Sequence, residues 1–317
     1  MSGEADSLSR EAGEGRVRVI GPARSVEVER GDPIALTLAA SRLDPGSSPG
    51  QALSRVAGEV LRNRRVRACL VPLLLLFLWW LGTRSSPDGL IPPPAAVGVA
   101  LWDLAFGGIN DDAFSQMLLT DLIASASRVY GAFLLAAAVA LPLGMLIGRL
   151  RVVRELLEPT FQLLRPVPVT AWLPLSMIIF GLGPRSAFFL VALGAFYPIL
   201  VNTVFAVRSV EPRLFEAAQM LGVSPARLFP KVVLPASLPG MFTGLRVGLG
   251  FAWVVIVVGE MTGVQTGLGA MIMDARQLSR TEIVISGMAV IGLAGFLSDL
   301  AIQMVGRRLL AWSPLHG

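Results

Sequence analysis

Residues 122–148 have the sequence LIASASRVYGAFLLAAAVALPLGMLIG, an apolar run in which Arg128 is the only charged residue. A helix needs ~20 apolar residues to cross the hydrocarbon core of a bilayer, and this run exceeds that length. Further apolar segments lie at residues 68–82, 171–183, 186–207, 238–261 and 283–305. Together the segments predict an all-α fold, a polytopic membrane bundle of about six transmembrane helices.

The composition supports this prediction and divides the chain in two. Hydrophobic residues other than glycine make up 54% of the 317 residues, and charged residues only 15%, against ~25% in soluble domains. Residues 1–60 are different, being rich in Glu, Arg, Gly, Ser and Pro. We therefore expect a flexible polar cytoplasmic extension at 1–60, with a single strand-like alternation at 17–20, and a transmembrane domain at 61–317.

Basic residues beside the apolar segments predict the orientation of the chain. With the N-terminus inside, the outer loops hold only Arg84, Arg185, Arg276 and Arg280. The inner flanks hold a larger set: Arg62, Arg64, Arg65, Arg67, Arg149, Arg151, Arg154, Arg165, Arg208, Arg213, Arg227, Lys231, Arg307 and Arg308. This excess places both termini in the cytoplasm and residues 83–121 outside.

Counts of single residue types exclude several kinds of chemistry. His316 is the only histidine and Cys69 the only cysteine, so neither a zinc site nor a serine–histidine triad is expected. The only lysine, Lys231, follows Pro230, whereas a phosphate-binding P-loop needs Gly-Lys-Ser/Thr. We therefore expect no catalytic residue, no metal and no cofactor in this chain, and no nucleic-acid partner despite its basic pI.

The most informative stretch, EPRLFEAAQMLGVSPARLFPKVVLP at 211–235, lies on the predicted cytoplasmic side between the fourth and fifth segments. Pro212 suits the first turn of a short helix, and Gly222 suits the left-handed residue that follows its end. Ser224 and Pro225 are typical of a second helix start, and we expect that helix to end before Leu234.

The first of these helices is predicted to have two different faces. Leu214, Phe215, Ala218 and Leu221 recur at helical spacing, and we expect them to pack on the bundle. Glu216 and Gln219 then lie on another face, which is offered to a partner.

At these residues the chain resembles a known family. Glu216-Ala217-Ala218, followed at fixed spacing by Gly222 and Leu234-Pro235, resembles the EAA loop in permease subunits of ATP-binding-cassette (ABC) importers, although Val232 stands where the family pattern has Ile. The resemblance implies that the loop docks in a groove of an ATPase subunit and passes nucleotide-driven motion to the spans. The coupling residues it implies are Glu216, Ala217, Ala218, Gly222, Leu234 and Pro235.

Other stretches resemble one branch of that family, the permeases of the nitrate, sulfonate, taurine and bicarbonate group. They are LIPPP at 90–94, SRVYGAF at 127–133, RPVPVTAWLPL at 165–175, FYPILVNT at 196–203, GLRV at 244–247, GEM at 259–261 and GLG at 267–269. The resemblance covers about residues 65–312 and implies a type I importer permease fold.

This resemblance also implies the chain's activity and its partners. The chain would translocate a small anion (an aliphatic sulfonate, taurine or nitrate) across the bacterial cytoplasmic (inner) membrane. It would work with a second copy of itself, two ATPase subunits that bind ATP and Mg, and an extracytoplasmic solute-binding protein. The runner-up function is an ion-coupled secondary transporter, which would need two related halves that the sequence does not show.

Polar residues inside the apolar segments need partners, because an ionised group at a helix centre costs ~2.5–3.5 kcal/mol on insertion scales. We expect Arg246 and Asp299 to pair, as a tether between helices or in a substrate role. Glu260 either lines the outer gate or caps an outer loop. Four more candidate pathway residues, which alternatively bond helices together, are Ser176, Asn202, Thr203 and Trp253.

Overall fold

The computed structural model of the chain describes residues 12–13, 16–20, 25–29, 64–84, 91–110 and 113–310. Two compact units are present, Met1–Pro87 and Asp88–Gly317. From residue 64 onward the described secondary structure is helical, as the apolar segments predict. The all-α fold is therefore confirmed for the membrane part of the chain.

The first unit contains strands and one apolar helix. Strands β1 (Ala12–Gly13), β2 (Arg16–Ile20) and β3 (Ser25–Glu29) form an antiparallel sheet in the order β1-β2-β3, with Val17 opposite Val28. The single strand expected at 17–20 was thus an underestimate, because Ser25–Glu29 supplies a partner. The remainder of the predicted flexible extension at 1–60 lies outside the described residues.

Helix α1 (Arg64–Thr83) contains the first predicted span. Its apolar portion, Leu70–Thr83, is shorter than the ~20 residues needed for a perpendicular crossing.

The second unit is a bundle of long helices joined by short ones. Its elements are α2 (Pro94–Phe106), α3 (Leu118–Arg149), α4 (Arg151–Leu164), a 3-10 turn (Val169–Trp172), α5 (Leu173–Phe180), α6 (Pro184–Arg208), α7 (Pro212–Met220), α8 (Pro225–Leu228), a π turn (Phe229–Val233), α9 (Leu234–Glu260), α10 (Leu268–Gln277) and α11 (Thr281–Leu309). Within the described residues, four helical stretches are long and apolar enough to cross a membrane: α3, α6, the π turn with α9, and α11.

The predicted third span, residues 171–183, was wrong as a continuous helix. Gly181, with a φ of +78°, ends α5 at Phe180, so the helix has only 8 residues and a length of ~12 Å. On the other side the chain bends by 90° between α4 and the segment Val169–Phe180. The prolines at 166 and 168 explain the break, because each lacks an N–H for the helix ladder.

Helix α6 is the centre of the bundle and packs against α3 and α9. Its core residues Leu190, Val191 and Ile199 are at most 1% exposed, as is Ala132 of α3. Since lipid supplies no hydrophobic force between helices, this packing depends on close approach at small residues. A Cβ added at Gly144 of α3 would lie 2.7 Å from the Thr203 Cβ, so α3 and α6 are in direct contact there.

Glycines of α9 make the same close approach to α6. A Cβ at Gly244 would lie 2.8 Å from the Asn202 Cβ, and one at Gly248 would lie 2.6 Å from Ile199 Cγ1. Gly250 differs, because a Cβ there would meet nothing within 4 Å among the described residues. Gly244 and Gly248 are therefore packing positions and Gly250 is not.

We predict that Gly248→Ala destabilises the bundle by ~1–3 kcal/mol, because its methyl group overpacks the α6–α9 contact. Gly250→Ala is the matched control and should be neutral or stabilising by up to ~1 kcal/mol, since alanine favours the helix. Denaturant unfolding of both variants in detergent micelles measures the difference. Equal stability of the two variants would show that the close approach is not formed.

Candidate functional site

In the loop after α6, the first helix and the turn that ends it form as the sequence predicts. Helix α7 begins at Pro212 and ends at Met220, and Gly222 follows with a φ of +76°. The Gly222 N–H donates to the Gln219 carbonyl at 2.9 Å, and the Val223 N–H donates to the Ala218 carbonyl at 3.0 Å. These two bonds form a Schellman motif, in which glycine is favoured because of its positive φ.

Helix α7 exposes more of its surface than predicted. Ala218 is buried and Phe215 half-buried, but Leu214 is 45% exposed and Leu221 84% exposed. The expectation that all four pack inward was therefore wrong. The reason is that α7 contacts the α8 segment and the π turn that follow it, which cover only one edge of so short a helix.

The exposed side of α7 combines apolar and charged groups. Glu216 and Ala217 are exposed, and Met220 is 88% exposed. Together with Leu214 and Leu221, these residues form what we call the α7 surface. An apolar surface rimmed by charge is typical of a protein–protein contact.

The second half of the loop is a short helix that is continuous with α9. Helix α8 starts at Pro225, as predicted, although the Ser224 side chain makes no capping hydrogen bond. The expected end before Leu234 was wrong: the chain continues through the π turn directly into α9, and the Leu234 N–H donates to the Phe229 carbonyl. Pro230, which has no N–H, is accommodated by this wider turn. Leu234 and Pro235 are consequently the half-buried first residues of α9.

A buried polar cluster lies at the other end of the bundle, around Glu260. This carboxylate is 1% exposed and accepts hydrogen bonds from Arg128, from the Ser125 hydroxyl at 2.7 Å and from the Gly269 N–H at 3.0 Å. The Arg128 guanidinium also donates to the Thr266 carbonyl at 2.7 Å. Each charge in the cluster is therefore paired and hydrogen-bonded, as burial requires.

The same cluster caps the N-terminus of α10. The Gly267 N–H donates to Asp121 at 2.8 Å, and the Leu268 N–H donates to Ser125 at 2.9 Å. With the Gly269 N–H on Glu260, three backbone donors at the helix start are satisfied by side chains of α3 and α9. Of the two roles expected for Glu260, this geometry favours the cap of an outer loop. We call Asp121, Ser125, Arg128 and Glu260 the α10 cap.

Sequence reasoning missed most of the α10 cap. Asp121, Ser125 and Arg128 were not identified as partners of Glu260. The available signal was Arg128 itself, since a charge within an apolar run requires an opposite charge nearby.

Arg246 of α9 and Asp299 of α11 form the predicted ion pair. Arg246 Nε lies 2.8 Å from Asp299 Oδ1, and Arg246 Nη2 lies 2.9 Å from Asp299 Oδ2. Gln303 also donates to the Asp299 carboxylate at 2.7 Å. This bidentate geometry links α9 to α11, as a tether would.

The other predicted pathway residues do not come together in this chain. The Ser176 hydroxyl donates to the Leu173 carbonyl and the Thr203 hydroxyl to the Ile199 carbonyl, each at 2.7 Å within its own helix. Asn202 likewise donates to the carbonyl of Pro198 at 2.8 Å.

Trp253 of α9 bonds between helices, donating to the Ser298 hydroxyl of α11 at 3.0 Å. Two clefts of about 480 and 520 Å³ are formed by residues that the structure describes, and neither is lined by Ser176, Asn202, Thr203, Trp253 or Glu260. Within the part of the chain that the structure describes, no group of three or more His, Cys, Asp or Glu side chains is placed to hold a metal ion.

We predict that Glu260→Leu destabilises the bundle by ~3–5 kcal/mol, because it leaves the Arg128 side chain, which is only 12% exposed, without its counter-charge. Glu155→Leu is the control: Glu155 pairs with Arg151 at an exposed position of α4, where an ion pair contributes ~1 kcal/mol or less. Denaturant unfolding in detergent measures both effects. A loss of stability no larger than that of the control would contradict the buried network.

We predict that Arg246→Asp and Asp299→Arg each lower the thermal midpoint of unfolding, because each places two like charges in contact. The double exchange restores opposite charges, so its midpoint should recover most of the loss. Differential scanning fluorimetry of the purified variants tests this. Failure of the double variant to recover would argue against a tether.

Comparison with known proteins places these features in a family. The model of the family described as binding-protein-dependent transport system inner membrane component matches residues 140–311, more than half of the chain. Its matched region contains the loop with α7 and the contacts of α6 with α9.

Several curated relatives match most of the chain. A putative ABC transporter permease protein of Methanocaldococcus jannaschii is 45% identical over 246 residues, which cover 77% of this chain and 91% of the relative. The putative aliphatic sulfonates transport permease protein SsuC of Bacillus subtilis is 35% identical, covering 84% and 95%. The taurine transport system permease protein TauC of Escherichia coli is 37% identical, covering 77% and 87%.

A solved structure shares the fold. The MetNI methionine ABC transporter in an inward-facing conformation contains a chain that aligns with a TM-score of 0.52 at 19% identity, over 62% of this chain and 95% of that one. The family model and the curated relatives, together with this fold, show that the chain belongs to the membrane-embedded permease components of binding-protein-dependent ABC transporters, and is a transport subunit rather than an enzyme.

Proposed function

We propose that two copies of this chain form the translocation pathway of an importer for a small organic or inorganic anion, powered by ATPase subunits that dock on the α7 surface. The observation that carries the proposal is the form of that surface, a short helix ended by Gly222 that holds exposed apolar side chains beside Glu216. Relatives named for aliphatic sulfonates and taurine support an anionic solute.

Both ends of the loop are connected directly to core helices, which suits it to transmit movement. Its first helix, α7, is separated from the end of α6 only by residues 209–211, and its second half passes without interruption through the π turn into α9. Movement of α7 therefore acts on α6 and α9, which pack against each other along the core. Leu234 and Pro235 are the first residues of α9, so they transmit this movement to the transmembrane helix.

The proposed cycle is alternating access. ATP binding closes the partner ATPases, draws the two α7 helices together and opens the pathway outward, and hydrolysis returns it to the inward state. ATP and Mg bind to those partners. An extracytoplasmic solute-binding protein delivers the anion on the other side.

The proposal fixes an orientation in the inner membrane. The excess of arginines on the flanks that include α7 supports a cytoplasmic location of this loop and of both termini. The α10 cap then lies near the outer surface. A pathway role stays a prediction for Ser176, Asn202, Thr203 and Trp253. The hydrogen bonds of these side chains within one chain favour the alternative role, which is to stabilise helices.

We predict that Ala217→Trp lowers the rate of ATP-dependent uptake at least tenfold and leaves the thermal midpoint of unfolding unchanged. Ala217 is exposed, so the larger ring meets no core atom, but it blocks close approach of a partner groove. Ala95→Trp on α2 is the control, because Ala95 is also exposed but lies in the predicted outer segment.

Uptake into proteoliposomes containing the permease, its ATPase and its binding protein measures the effect. Wild-type uptake by the Ala217 variant would contradict docking at α7. Uptake that requires an ion gradient and no ATP would instead support a secondary transporter.

A further inference from the structure

The ion pair between Arg246 and Asp299 lies close to the middle of α9. Arg246 is 12 residues after the start of this helix at Leu234 and 14 residues before its end at Glu260, which correspond to ~18 and ~21 Å. The hydrocarbon core of a bilayer is ~30 Å thick, so its centre lies ~15 Å from either edge. Because the π turn with α9 is apolar and long enough to cross a membrane, the pair lies near mid-depth of the bilayer.

Both charged side chains are nevertheless exposed on the surface of this chain. The side chain of Arg246 is 43% exposed and that of Asp299 is 36% exposed. Two hydrogen bonds to one carboxylate hold the guanidinium in place, so it does not extend along the helix to the membrane surface as an unpaired arginine can. Ionisable groups at this depth face the interior of a bundle or a water-filled cavity, because contact with lipid tails is costly. The pair therefore faces water or another protein surface, and not lipid.

Two further exposed residues lie on the same side of α9. Thr243 precedes Arg246 by three residues and Gly250 follows it by four, and all three are exposed. Residues at this spacing share one face of a helix. Space is open at Gly250, where a Cβ would meet no described atom within 4 Å. We call Thr243, Arg246 and Gly250 the α9 face.

We propose that the α9 face lines the water-filled pathway through which the solute passes. The inference rests on the proposed function for the existence of a pathway, and it adds which surface of the chain forms the wall. Water keeps both charges of the pair solvated. An interface with a second copy would instead have to supply acceptors for every guanidinium N–H that Asp299 leaves free.

The pair also suits a wall that an anion must pass. Asp299 accepts hydrogen bonds from Nε and Nη2 of Arg246, and a guanidinium has further N–H groups. Those groups can donate to water or to an anion. Because Asp299 balances the positive charge, the attraction is weak enough for the anion to leave again, as conduction requires.

The test is cysteine labelling of the permease assembled with its ATPase subunits in nanodiscs, where both sides of the membrane are accessible. Cys69→Ala removes the only native thiol of this chain. Thr243→Cys or Gly250→Cys is added to this background and labelled with a charged methanethiosulfonate reagent, which dissolves in water and not in lipid. Cysteine is close to threonine in size, and the space at Gly250 is open, so both variants should fold.

Leu297→Cys is the matched control. Leu297 is 52% exposed and lies two residues before Asp299, at nearly the same depth but on the other side of α11. Both α9 variants should be labelled about tenfold faster than this control or more, because the reactive thiolate forms in water and not in lipid. Trapping the ATPases with ATP and vanadate should change both α9 rates at least twofold and leave the control rate unchanged, because access to the pathway alternates.

Three results would overturn the inference. Equal labelling rates for the α9 variants and the Leu297 control would place the α9 face against lipid. Slow labelling, together with a disulfide between two copies of the Gly250→Cys variant on oxidation, would assign the face to contact with a second copy. Rapid labelling that ATP and vanadate do not alter would indicate a static aqueous crevice. None of these results concerns docking at α7, which the uptake assay with Ala217→Trp tests separately.

Discussion

Close packing of α6 against α3 and α9 is the constraint on which the rest of the structure depends. In a bilayer, helices gain nothing from removing apolar surface from water when they associate, so van der Waals contact and buried polar bonds must hold them together. Gly144, Gly244 and Gly248 allow that contact, because any side chain there would overlap with α6. The loop that carries α7 begins where α6 ends and finishes where α9 starts, so both of its ends are attached to the most tightly packed pair of helices.

Local chemistry explains what could be predicted from the sequence. Pro212 and Gly222 mark the start and the end of α7 because each acts through its own backbone geometry. Arg246 and Asp299 could be paired because two opposite charges in apolar segments at similar depth have few alternatives. Long apolar runs predicted the main spans for the same reason: their length and composition are properties of the segment alone.

The features that were missed depend on contacts between residues far apart in the sequence, or on local patterns that allow more than one backbone conformation. The bond between Asp121 and the Gly267 N–H joins residues 146 positions apart, and no local pattern relates a carboxylate at one helix start to a backbone donor at another. The π turn arises from the competition of Pro230 with the helix ladder, which allows either a break or a wider turn. The break at Gly181 depends on a positive φ that glycine permits but does not require.

The α10 cap has a mechanical consequence. Three successive amides of one helix are held by acceptors from two others, Asp121 and Ser125 on α3 and Glu260 on α9. If α3 and α9 separated at this end, buried N–H groups of α10 would lose their acceptors. A partly opened arrangement is therefore less stable than either the intact or the fully separated one. This corner of the subunit therefore opens cooperatively or not at all, and α3 and α9 are expected to move together as one rigid unit.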